Sequence, residues 1–142
     1  MANYECAVRT NYFHVKDAGR FREFMKNVCG SEDKIDLWER QDADSRAVFG
    51  FGCYGGIAGL KNPDGEIDND SFDQFIAGLQ EHIGDNDAVI LFEAGNEKLR
   101  YVTSGATVIT GKGCVYLDVE RLAIQKAQEQ LENPNWATKC VY

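Results

Sequence analysis

Histidine is scarce in this 142-residue chain, and most familiar catalytic and metal-binding patterns are missing with it. Only His14 and His82 occur, His14 ending a predicted strand and His82 following Glu81 on a predicted helix. Neither lies near a cysteine in sequence, and there is no G-x-S-x-G, so a nucleophile with its base has no sequence support. No His/Cys spacing suggests zinc. No apolar run approaches the roughly 18 residues that span a bilayer. The opening MANYECAVRTNYF lacks a basic region followed by an apolar one, so no secretory signal is expected and the cytoplasm is the expected compartment. The cysteines (Cys6, Cys29, Cys53, Cys114 and Cys140) are odd in number and form no CxxC, which points to reduced thiols packed as small hydrophobes. Basic residues are also in deficit, 15 against 23 acidic, for a net charge of −8. That argues against direct contact with a phosphate backbone, whose affinity comes largely from Lys and Arg. It suits an acidic protein docking onto a basic surface, and equally an acidity that only keeps the chain soluble.

What is present starts with Ala47–Leu60, AVFGFGCYGGIAGL. Read with a period of two, a bulky face of Ala47, Phe49, Phe51 and Cys53 alternates with a thin face of Val48, Gly50, Gly52 and Tyr54. Two glycines on one face of a strand mark a bulge or a close approach by another group. The expectation is a central strand with one face in the core and the other open or closely covered.

Around it, 3–15 reads as a first strand. Asp17 is placed to cap a helix carrying Phe21, Phe24, Met25 and Val28, which Gly30 stops. A strand over 34–41 joins the glycine strand through the turn DADS. A polar loop over 61–69 leads to Ser71 and Gln74, a capping box before a helix with Phe72, Phe75, Ile76, Leu79 and Ile83 on one stripe and Gly84 at its end. The run AVILF at 88–92 predicts a strand covered on both faces. The order strand, helix, strand, strand, helix, strand is the split pattern of a ferredoxin-like βαββαβ antiparallel sheet, an α+β fold. Strands over 99–110 and 114–117 and a helix over 119–133, with Leu122, Ile124, Ala127 and Leu131 as its apolar side, add a C-terminal β-hairpin and helix. With no linker or repeat, 1–142 is expected to be a single domain, 1–94 the ferredoxin-like core and 95–142 the extension.

Three motifs weaken on inspection. Gly50, Gly52 and Gly55 spell the dinucleotide fingerprint, but the following GIAGLKNPDG cannot open a helix, and the acidic Asp70 sits at a helix start. Gly50-Phe51-Gly52 partly resembles the third-strand signature of RNA-recognition motifs, yet Phe49 and Cys53 stand where a basic and an aromatic residue belong. Asp64 to Asp68 copies the middle of an EF-hand loop, with Leu60 and Ser71 where the strongest ligands should be. What remains is a carboxylate cluster, Asp64, Glu66, Asp68, Asp70 and Asp73, read either as a solvated loop and cap or as an acidic contact patch. No catalytic constellation, metal site or cofactor is expected.

The segments NYECAVRTNYFHV, FGFGCYGGI and FEAGNEKLRYVTSGATVIT, about a third of the chain, resemble those of small acidic accessory proteins of bacterial plasmids, phages and integrative elements, some with a ferredoxin-like domain. The resemblance implies a mobile-element inhibitor of host defence, of anti-CRISPR or anti-restriction type, and brings no site residues. The leading expectation is therefore a non-enzymatic protein that docks Asp64, Glu66, Asp68, Asp70 and Asp73 onto the basic surface of a nucleic-acid-handling enzyme. A second is an RNA- or small-molecule-binding module using the glycine strand's thin face, with Trp38, Gly50, Gly52 and Tyr54. A third is a regulatory or scaffolding protein that forms a homodimer through the final hairpin and helix.

Overall fold

The alternation over the glycine stretch folds as a strand for eight residues and then breaks. A computed structural model describes residues 4–68 and 70–139, so Cys140 and the start of the predicted first strand lie outside the described residues. The strands are β1 (Glu5–Thr10), β2 (Val28–Gly30), β3 (Asp36–Gln41), β4 (Ala47–Tyr54), β5 (Ile57–Lys61), β6 (Ile67–Asp68), β7 (Val89–Glu97), β8 (Tyr101–Thr110) and β9 (Gly113–Asp118). The helices are α1 (Ala18–Met25), α2 (Phe72–His82) and α3 (Val119–Leu131). The protein is α+β, with six strands in the order β3-β4-β1-β7-β8-β9 and a second sheet in the order β2-β5-β6. All pairings between these strands are antiparallel.

The break in the glycine stretch is conformational. Gly55 has φ +80°, which turns the chain out of β4, so the expected single strand over 47–60 becomes β4 in the large sheet and β5 in the small one. No helix follows, as the dinucleotide motif would need. Two other elements differ from expectation: α1 ends at Met25 and Val28–Gly30 is a strand, while the polar loop holds the short β6.

The core lies on one face of the large sheet. Val8 and Thr10 of β1, Phe49, Phe51 and Cys53 of β4, and Val89 and Leu91 of β7 are buried there beneath Phe21 of α1 and Phe75 and Leu79 of α2. Phe21 meets Phe49 and Phe13 at ring-centroid distances of 5.0 and 5.6 Å, and Phe75 meets Phe51 edge-on at 6.2 Å. Between Arg9↔Gly52 and Phe13↔Phe49 the first strand carries one residue more than β4. The buried Thr10 hydroxyl accepts the Phe51 N–H (3.0 Å) across that bulge. Asp17 caps α1 through the Arg20 N–H (3.0 Å), as predicted.

The capping box at Ser71 does not form. Its side chain makes no bond to the helix; the buried hydroxyl instead accepts the Leu60 N–H (2.7 Å) and donates to the Asp68 carbonyl. Ser71 fastens α2 to β5 at the cost of a local cap. No helix is long and apolar enough to cross a membrane among the described residues.

Candidate functional site

The face of the large sheet opposite α1 and α2 carries the thin side of β4. On β4 it presents Gly50, Gly52 and Tyr54; on β3, Trp38; on β1, Ala7 and Arg9. Register carries the same face onto β7 through Phe92 and Ala94, onto β8 through Ala106, and onto β9 through Leu117. The chain then turns into α3, whose Val119 and Leu122 form a wall. Sheet and helix together enclose a groove of 640 Å³, open along its length.

This corrects the sequence reading of AVILF. Leu91 is 6% exposed in the core, but its neighbour Phe92 is 51% exposed on the open face, so the strand is covered on one side only. Apolarity there reports a surface that lacks a partner among the described residues. The same holds for α3: Val119, Leu122 and Leu131 stay 48%, 43% and 56% exposed, and none of its described residues is buried. Soluble monomers rarely expose contiguous apolar surface on this scale without a use for it.

Of the four residues proposed from the thin face, Trp38, Gly52 and Tyr54 line the groove. Gly50 lies beside them under the indole, where an added Cβ would come within 3.5 Å of Trp38. Trp38 is not a free stacking platform, because the Arg9 guanidinium lies over its ring, 5.0 Å from the centroid. Tyr54 is free, at 73% exposure. Arg9, Asp36 and Glu93 are the only charged residues among those lining the groove, so a protein of net charge −8 keeps nearly all its acidity off this face.

The acidic cluster lies elsewhere. Asp64 and Glu66 sit in the turn joining β5 to β6, where their N–H groups donate to the Asn62 side chain (3.0 Å each). Asp68 ends β6 and accepts the Asp70 N–H (3.0 Å), and Asp73 occupies the first turn of α2. Asp64, Glu66, Asp70 and Asp73 are exposed and Asp68 is half-buried; none lines the groove, and none forms an ion pair among the described residues. Five carboxylates without an ion-pair partner among the described residues therefore fall within one segment, 64–73.

One cluster had no sequence signal. His14 Nε2 lies 2.7 Å from Asp42 and its Nδ1 2.9 Å from Asp87, so one imidazole joins the end of the first strand, the β3–β4 turn and the loop before β7. The hydrogen bonds to Asp42 and then Asp87 raise the His14 pKa above its ordinary value. The bond from His14, then the Arg46 N–H, hold Asp42 low. Burial pushes Asp87 up, but the N–H groups of His14 and Ala88 and the imidazole outweigh it and hold Asp87 low. With both nitrogens bound to carboxylates, this is a structural clasp with no free base to offer.

Cys29 and Cys53 are buried free thiols, and burial first, then the Cys6 thiol, pushes Cys53 up to about 11. At neutral pH it is a protonated hydrophobe. Among the described residues no group of three or more His, Cys, Asp or Glu side chains is arranged to hold a metal ion. Set against protein-family models, curated proteins and solved structures, the chain matches none.

Proposed function

We propose that this is a non-enzymatic binding protein acting through protein–protein contact, with the open sheet face and the apolar side of α3 as its docking surface. We read β1, β3, β4 and β7 with α1 and α2 as a ferredoxin-like unit, supported by the strand order β3-β4-β1-β7, and β8, β9 and α3 as the extension that turns its free face into a groove. The observation that carries the reading is Phe92: a large aromatic left half-exposed on a mostly apolar floor, beside a helix with no buried residue. A groove of 640 Å³ would also admit a small ligand. Protein is favoured because the apolar exposure runs past the groove, onto Val115 of β9 and Leu131 at the far end of α3.

Nile red, a neutral dye that fluoresces on apolar surface, tests this. Native protein diluted to nanomolar concentration is expected to bind it, and Phe92→Asp with Leu122→Asp to lose that binding while keeping its far-UV spectrum. A native chain that ignores the dye at every dilution while running at the mass of a single chain, or a variant that unfolds, would make this face part of a closed core and end the reading.

The acidic turn supports a second contact, with a basic surface such as a nucleic-acid channel, as the mobile-element resemblance implies. Its support is that Asp64, Glu66, Asp68, Asp70 and Asp73 have no neutralising partner among the described residues. Neutralising those five should weaken binding to polylysine much more than neutralising Glu5, Glu32, Asp33, Asp44 and Glu81. Equal weakening would return the acidity to solubility alone.

A further inference from the structure

The groove and α3 are two halves of one contact that the chain cannot close by itself. α3 has 13 residues, is capped at Asp118 by the Glu120 N–H (3.1 Å), and none of its described residues is buried. A helix of that length is marginal in water without packing against something. The groove beside it is mostly apolar, and α3 is the only helix among the described residues that lines it. We propose that a second copy of this chain covers both: in a two-fold dimer, α3 of each protomer lies in the groove of the other, with Leu122 set against Phe92 and Leu117.

Area favours a second copy. The chain exposes 9683 Å², whereas a folded monomer of 15.9 kDa exposes about 7,400 Å² by the usual scaling of surface with mass. The excess of about 2,300 Å² is spread over the whole chain, including the largely exposed 132–139 segment, and leaves room for the roughly 2,000–5,000 Å² that homodimer interfaces bury over both partners. Each copy carries one groove and one helix, so the contact is self-complementary and closes under a two-fold axis without an exposed remainder. Charge permits it: the surfaces brought together are nearly uncharged, and the acidic turns stay outside the contact. The inference rests on the docking-surface reading above and names its partner.

Light scattering on the purified full chain, with variants, tests it. The native protein is expected at twice the 15.9 kDa chain mass. Phe92→Asp on the groove floor and Leu131→Asp on α3 are each expected to run as folded monomers, because both side chains are exposed within one chain and Leu131 does not line the chain's own groove. Mixing the two variants gives the specific signature. A pair made of one of each keeps one intact groove with one intact helix, so dimer mass reappears, although neither variant dimerises alone. A native chain that stays monomeric while binding Nile red overturns the exchanged dimer and leaves the docking surface standing. Dimers that survive both substitutions, or variants that show no recovery on mixing, overturn the exchange itself; variants that unfold overturn both readings.

Discussion

Arg9 lies over the indole of Trp38, its guanidinium carbon 5.0 Å from the ring centroid, and Gly52 is what allows it. Arg9 and Gly52 are register partners, and a Cβ on Gly52 would fall 2.5 Å from the Val8 carbonyl oxygen and 3.1 Å from Arg9 Cα. Neither is a flexible side-chain end, so the clash can be relieved only by parting β1 from β4. Gly52→Ala is expected to cost about 2 kcal/mol or more, as overpacking commonly does. That would appear as a melting-temperature drop of about 5–10 °C. Gly113→Ala, where an added Cβ meets nothing within 4 Å, should change little. Equal melting temperatures for the two variants would contradict the close approach.

Ser71 gives a prediction on which sequence and structure disagree. By sequence it is an N-cap, so Ser71→Asp should be neutral or helpful. In the fold its hydroxyl is buried and serves Leu60 N–H and the Asp68 carbonyl, and a carboxylate can accept the first but not donate to the second. Ser71→Asp is expected to destabilise by more than Ser71→Ala, itself about 1–3 kcal/mol for a buried group left unpaired. Urea unfolding of both variants checks this, and a stabilised Ser71→Asp would refute it.

The His14 clasp gives stability a pH dependence of known sign. The folded pKa of His14 is raised, so its contribution is complete below the unfolded value of about 6.5 and is lost as pH rises through the folded one. Asp42 and Asp87 are lowered, so theirs is present above about 4 and is lost as pH falls through their folded values. The clasp is therefore fully charged between about pH 4 and 6.5. His82 works the opposite way, because burial lowers its pKa and its contribution fades as pH falls. The comparison to make is thus native against His14→Gln: thermal melts from pH 5 to 8 should show the gap between them closing as pH rises. A gap of constant size would remove the ionic clasp.

How far these features were legible in the sequence depended on whether the signal was local. Phe49, Phe51 and Cys53 against Gly50, Gly52 and Tyr54 follow from a period of two, and the fold places the first set in the core and the second on the open face. The stripe of Phe75, Ile76 and Leu79 was equally plain. Phe92 was misplaced because a continuous apolar run looks the same whether its second face is covered by its own chain or awaits another. The turn-out at Gly55 was missed because the stretch 47–60 was read as one strand and Gly55 only as the last glycine of G-x-G-x-x-G, and only its positive φ marks it as a turn. Ser71 carried a local signature and was spent on a tertiary bond. His14, Asp42 and Asp87 are far apart in sequence, and no spacing rule joins them.

The central claim, that α3 is held by something outside its own chain, is tested most directly by amide hydrogen exchange along residues 119–131. The account predicts that these amides are protected in the native protein at micromolar concentration. In Phe92→Asp, a change on the sheet and not on the helix, they should exchange at rates near those of an unfolded peptide, while β1 and β7 keep their protection. Equal protection of α3 in both proteins would mean its own chain holds it, and the docking face would have no partner to explain.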